Sequence, residues 1–307
     1  MSETIKSIEH FGLRRKIVAN MTTESWESIP HAGTNYEPDV TDFWDTYQVL
    51  RKGDPKWAKI TFNTLMLYVV TQGLIACPAM NGHIQFKRES ANGKIELHEA
   101  INISMPMCLP DGGMMTINMH NCESKSVNEM AQAMEDIRRR MVNTNIEHAM
   151  FGAALENTLR LFRQGKVFRV LGRLAGNTFG KGKMSRLKGR EKKDYLAIPE
   201  SERLTKRDIE QGSITVSNLG SVYRGGSYAP PVMLDIIPPQ VAVIGIGGLT
   251  ERAGIAARNG AKVIEPRRFL PINLMFDHRA LDYGDMVPFM RRLDEIFADP
   301  AMMTNWF

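Results

Sequence analysis

The run FLPINLMFDHRALDYGD closes an apolar segment on four residues that could do chemistry together: Asp277, His278, Arg279 and Asp282. A buried strand that delivers a histidine to its exit is a way to position a general base, because an imidazole with a pKa near about 6.5 can take and return a proton at neutral pH. Asp282 follows the histidine by four residues, close enough to orient its ring. An H-x-x-x-D pair is weak by itself, and its plain alternative is a histidine satisfied at a strand end. Cys77, Cys108 and Cys122 are odd in number, far apart and without C-x-x-C spacing. They read as reduced structural cysteines, with no metal site implied.

The elements that must carry these residues follow from periodicity. Leu13, Ile17 and Met21 recur every four residues and predict an opening helix over 9–26. A second helix is expected over Thr61–Ala76, with the extended stretch IPHAGTNYEPDVT between them. Two alternating runs flank Asn92-Gly93 and two more flank Pro110–Gly113, so each pair reads as a hairpin. Ser126 to Glu129 matches a capping box, and Met130, Met134, Ile137 and Met141 then mark one face of a helix, where the methionines serve as core filler. The runs SITVSNL, QVAVIGIGGL and FLPINLMF predict buried strands, and Met286, Phe289, Met290, Leu293 and Phe297 share one face of a last helix.

Composition is that of an ordinary globular protein, with 43% hydrophobic and 24% charged residues. The N-terminus lacks the apolar core of a secretory signal, and the apolar run Leu65–Ala76 is shorter than the roughly 20 residues of a spanning helix. A cytoplasmic location is expected. Between Asn157 and Lys193 stand twelve Lys or Arg against the single acid Glu191, a local charge of +11 in a chain of +5, which leaves the rest at −6. A domain-wide nucleic-acid surface is therefore not expected. Residues 146–210 read as a helical, basic, amphipathic insertion, either packed with a solvated basic face or serving an anionic lipid, an acidic carrier protein or coenzyme A phosphates. The lipid version would place the protein peripherally on a membrane. Within this insertion LKGREKKDY is polar enough for a flexible loop.

Several segments together resemble one family, the catalytic domain of the 2-oxo acid dehydrogenase acyltransferases (dihydrolipoyl acyltransferases), within the chloramphenicol-acetyltransferase-like superfamily. DHRALDYG resembles its D-H-R-x-x-D-G, GSITVSNLG its G-T-F-T-I-S-N-L-G, and PPQVAVIGIGG its P-P-Q-x-A-I-L-x-V-G. LRRKIVANMTTESWESIPH resembles the family's R-R-x-I-A-x-x-M and I-P-H. The resemblance runs through nearly the whole chain outside 146–210. It departs where Tyr283 separates Asp282 from Gly284, and the catalytic domain is expected to come without a lipoyl domain or a peripheral-subunit-binding domain.

The resemblance implies an α/β fold, a mixed β-sheet flanked by helices, as a single domain over 1–307 interrupted at 146–210. It implies acyl transfer between coenzyme A and a second acceptor, a lipoyl thiol in trans or another small molecule, with no lipoyl group bound to this chain. His278 would deprotonate a thiol whose pKa lies near about 8.5. Ser217 would stabilise the oxyanion, and Asp282 would orient the site, through Arg14 or Arg15 of the opening helix. His31, of the I-P-H match, reads as structural. A homotrimer with sites at subunit interfaces is implied, with larger assemblies built from it. The competing expectation is a non-catalytic trimeric scaffold that keeps the fold.

Overall fold

A computed structural model of the chain describes residues 5–109, 112–150, 187–222 and 230–307. The expected turn at Pro110-Asp111 and most of the basic insertion, including Arg160, Arg163, Arg169 and Arg173, lie outside the described residues. The chain forms two compact units, one from Met1–Glu24 and Arg138–Glu210, the other from Ser25–Ile137 and Gln211–Phe307.

In chain order the helices are α1 (Leu13–Ser28), α2 (Thr41–Gly53), α3 (Phe62–Ala76), α4 (Val127–Val142), α5 (Gly189–Ala197), α6 (Lys206–Ile209) and α7 (Val287–Ala298). The strands are β1 (His31–Tyr36), β2 (Gly82–Lys87), β3 (Asn92–Leu97), β4 (Ile103–Cys108), β5 (Met114–Met119), β6 (Ile214–Asn218), β7 (Ala242–Ile246), β8 (Thr250–Arg258), β9 (Ala261–Phe269) and β10 (Ile272–Asp277). Among the described residues, these strands and helices give the mixed α/β class.

In the second unit, six strands form one sheet in the order β1-β10-β7-β6-β4-β5. The pairs β4/β6 and β6/β7 are parallel and the others antiparallel. Every residue of β7 and β10 is buried, so both faces of these central strands are covered, as their unbroken apolar runs require. One cover is the pair α3 and α7. Gly73 of α3 packs so closely that a Cβ there would meet Leu293 and Phe289 of α7 at 2.6 Å. Phe43 stands edge-on to Phe297 at 5.1 Å, and Trp306 packs near it. On another part of the sheet Val243 and Met275 cluster with Ile29 and Ile236.

The capping box of α4 is as the sequence predicts, and α3 carries a cap of its own. Thr61 accepts from the Thr64 amide to start α3, and Ser126 and Glu129 exchange both bonds of the capping box that starts α4. Met130, Met134, Ile137 and Met141 are all buried.

Four features differ from expectation. The β2/β3 turn is Arg88–Ala91, not Asn92-Gly93, because Lys87 pairs with Asn92 and Phe86 with Gly93. Ala91 takes the left-handed conformation (φ 51°), while Gly93 lies inside β3, where a Cβ would meet the Gln85 carbonyl at 2.9 Å. The Asn-Gly turn rule operates instead at Asn259-Gly260, with φ of 51° and 79°, joining the long β8/β9 hairpin that charged residues conceal in the sequence. Helix α2 is also unforeseen, and α5 is helical where polarity suggested a loop.

In the first unit Arg140 forks onto Asp208 at 2.8 and 2.9 Å. Burial raises the Asp208 pKa, but the Arg140 bonds and the bonds from Thr205 outweigh it and hold the carboxyl below its usual range.

Since Phe289 is fully buried against α3, Phe289→Ala is expected to cost about 3–5 kcal/mol by transfer and cavity terms. Urea unfolding checks this, and a loss under about 1 kcal/mol would mean that α3 and α7 do not pack as described.

Candidate active site

The site begins with a buried charge. Asp277 ends β10 fully buried, and Arg279, two residues on, grips its carboxylate with Nε at 2.9 Å and Nη2 at 2.6 Å. The Arg279 amide adds a bond to Asp277 Oδ1 at 3.0 Å. A carboxylate out of water is tolerated only when paired and hydrogen-bonded, so this fork closes the chain into a tight turn. The amides of Ala280 and Leu281 both donate to the Asp277 carbonyl, which fixes the turn further. His278 is the residue between the two charged partners. Its amide is held by the Pro30 carbonyl at 3.0 Å, and its ring projects outward, with 47% of the side chain exposed.

The ring's environment decides what it can do. Nδ1 faces two acceptors, the Leu281 carbonyl at 3.2 Å and Asp282 Oδ1 at 3.2 Å. Neither can donate, so Nδ1 carries the proton in the neutral ring. Nε2 is then left with a lone pair, the state a general base needs. Asp282 thus stands where an orienting residue must, and its carboxylate also takes part in a capping box with the Asp285 amide.

Ser217 lies on β6, partly exposed, and among the described residues its hydroxyl makes no hydrogen bond. Register fixes its relation to His278. Ser217 pairs with Gly245 on β7, and Gly245 pairs with Asn273 on β10. His278 is five residues beyond Asn273, and at the ordinary strand rise it lies about 17 Å further along the sheet and two strands over. The structure therefore does not bring Ser217 and His278 of one chain together. They occupy opposite ends of the same sheet.

The remaining candidates are accounted for. His31 is structural: its Nε2 accepts from the Ile236 amide at 3.2 Å, which leaves Nδ1 to donate to the Ile29 carbonyl at 2.9 Å, and its ring stacks on Trp26 at 4.6 Å. Arg14 and Arg15 belong to the first unit. Burial pushes the Cys122 thiol up to about 12 and raises that of Cys77, which opposes thiolate formation at both. Cys108 is exposed at the end of β4. Among the described residues no cluster of three or more His, Cys, Asp or Glu could hold a metal, and no helix is long and apolar enough to cross a membrane.

Two features escape a reading by motif. One is the Asp277–Arg279 fork, whose signal is present in the D-H-R triplet but only as a spacing. The other is Tyr283, whose hydroxyl reaches the Gly33 carbonyl on β1 at 3.0 Å.

The model of the 2-oxoacid dehydrogenases acyltransferase (catalytic domain) family matches residues 2–153 and 189–305. The chain belongs to this family. A relative from Caenorhabditis elegans, the lipoamide acyltransferase component of the branched-chain alpha-keto acid dehydrogenase complex, is 23% identical over 95% of this chain and 49% of its own length. The chain spans about half or less of the length of such relatives. The cubic core of a pyruvate dehydrogenase multienzyme complex superposes with a TM-score of 0.63 at 18% identity, covering 97% of this chain and 94% of that one. The dihydrolipoamide acetyltransferase of Azotobacter vinelandii, studied for the roles of a serine, a histidine and an asparagine in its catalytic mechanism, gives 0.62 at 18% identity with the same coverage. The fold is that of the acyltransferase cores, as the motif resemblance implies.

Removing Arg279 would strand the buried Asp277 charge. Arg279→Ala is expected to lower stability by about 3–5 kcal/mol, read by chemical denaturation, whereas a change under about 1 kcal/mol would show that the fork does not close the turn.

Proposed function

We propose that this chain is an acyltransferase that moves an acyl group between coenzyme A and a second acceptor, a lipoyl thiol carried in trans or another small acceptor. The observation that carries this reading is the protonation pattern forced on His278, with two acceptors at Nδ1 and Nε2 left as the base. In the histidine and asparagine of the Azotobacter vinelandii protein, numbered four apart, the spacing of His278 and Asp282 has a counterpart.

In this mechanism Nε2 of His278 takes the proton of the attacking thiol as its sulfur bonds to the thioester carbonyl carbon. The carbonyl π electrons move to oxygen, and the Ser217 hydroxyl donates to that oxyanion. Collapse restores the carbonyl and breaks the original carbon–sulfur bond. The imidazolium then returns its proton to the departing thiolate. Asp282 keeps the ring oriented and balances its charge while the proton is held. No covalent acyl-enzyme is needed.

With Ser217 and His278 at opposite sheet ends, a working site requires His278 of one chain and Ser217 of another. A closed ring of identical subunits supplies this at every interface, and a homotrimer is the smallest ring in which heterologous contacts close. Leu219 (38% exposed), Val222 (59%), Val232 (68%) and Met233 (57%) flank the Ser217 end and give a neighbour apolar surface to cover. The cubic core of the pyruvate dehydrogenase complex is a larger assembly of this fold. We read 146–210 as an insertion into one catalytic domain, supported by the interruption of the family match at 154–188. Its basic run suits an acidic carrier domain or an anionic lipid.

His278→Ala is expected to lower turnover of acyl-coenzyme A with a dithiol acceptor by at least about 10²-fold, and Ser217→Ala to lower kcat by about 10² with little change in coenzyme A affinity. If the fold instead serves as a non-catalytic scaffold, the unmodified protein will show no turnover across a panel of acyl-coenzyme A donors.

The shared site has its own test. His278→Ala and Ser217→Ala chains, dissociated and reassembled together, should regain about a quarter of wild-type sites. Mixed rings confirmed by native mass spectrometry but lacking recovered activity would exclude a site built from two chains.

A further inference from the structure

Tyr283 is the residue at which this chain departs from the D-H-R-x-x-D-G pattern, and its surroundings give it a task. Its ring stands edge-on to Phe276 at 5.2 Å and to His278 at 6.5 Å, while Phe276 is itself edge-on to His278 at 5.5 Å. Phe276 is fully buried, whereas Tyr283 is 53% exposed. A half-exposed ring beside an exposed imidazole would ordinarily be free to swing. The hydrogen bond from its hydroxyl to the Gly33 carbonyl prevents this by tying the ring to β1.

The same tether acts on the acceptors. Tyr283 directly follows Asp282, whose side chain is 80% exposed and is held beside Nδ1 by its capping-box bond with the Asp285 amide more than by packing. The segment is fastened behind Tyr283 as well: the Asp282 amide donates to Asp285 Oδ2 at 2.7 Å, and Cys77 Sγ donates to the Asp285 carbonyl at 3.0 Å. Ahead of it stands the Asp277–Arg279 turn. Tyr283 is the fastening between these two, and the one that also touches the imidazole.

We propose that Tyr283 is a positioning residue that selects the tautomer of His278, its tethered ring holding the imidazole plane so that Nδ1 stays on Leu281 and Asp282 and Nε2 stays unprotonated. The proposal rests on the reading of His278 as the base. A glycine after the aspartate could supply neither the ring nor the hydroxyl, so in this chain part of the orientation comes from a side chain that the family pattern lacks. In water the other tautomer, with the proton on Nε2, competes once the constraint is loosened, and that form cannot accept a thiol proton.

The test uses the full-length protein with Tyr283→Phe, which removes the tether, and Tyr283→Leu, which removes the ring. Nitrogen-15 NMR of His278, assigned by its loss in His278→Ala, reads the tautomer directly without any substrate. The unmodified protein should hold the proton on Nδ1, and Tyr283→Leu should bring the Nε2-protonated form to a comparable population, with Tyr283→Phe between. Kcat should fall about tenfold in Tyr283→Leu with the KM for acyl-coenzyme A within about twofold. Unchanged tautomers in both variants would overturn the proposal, even if kcat fell, since Tyr283 would then act on the substrate and not on the ring. A shifted tautomer with undiminished turnover would uphold the positioning role and refute His278 as the base.

Discussion

A fully buried carboxylate at the end of the second strand from one sheet edge sets the terms for the rest of this structure. Asp277 cannot lie in the interior unpaired, and the partner it finds is two residues away, so satisfying the charge bends the backbone at His278. The bend turns the imidazole out of the sheet while the strand before it stays locked between β1 and β7. Stability and chemistry thus share a cause: the ion pair that closes the strand is also what presents the histidine.

The turn has a second effect on protonation. Once the chain reverses, the carbonyl of Leu281 and the carboxylate of Asp282 come back onto the ring nitrogen nearer the backbone. Two acceptors at one nitrogen leave the base at the other. The arrangement works through a fixed tautomer, and it is built from backbone geometry more than from special residues.

Sheet register carries the argument from residue to assembly. A serine at one end of β6 and a histidine at the other end of β10 are too far apart for a single transition state to touch both. Parallel pairing of β6 with β7 and antiparallel pairing of β7 with β10 produce that separation. If the two residues act together, they do so between chains, and the exposed apolar side chains around Ser217 are then interface and not surface.

Much of this was legible in the sequence because it is local or periodic. The unbroken apolar runs of β7 and β10, the capping box of α4 and the single face of α7 each depend on neighbours a few residues apart, and the D-H-R-x-x-D spacing marked the histidine and its aspartate. The Asn-Gly rule failed at Asn92, where the register of β2 with β3 placed the turn earlier, and went unused at Asn259, where charged residues masked the alternation. Nothing in the sequence showed that Tyr283 would reach Gly33, 250 residues earlier, or that Arg279 would fold back on the residue two before it. The sequence by itself determined the central buried strands, the helices α3, α4 and α7 with their single apolar faces or apolar runs, and the candidate base. Only the tertiary structure decided that Nδ1 of His278 faces Leu281 and Asp282 and that Ser217 of the same chain lies out of its reach, because the first depends on the turn closed by the buried Asp277–Arg279 pair and the second on the register of β6, β7 and β10.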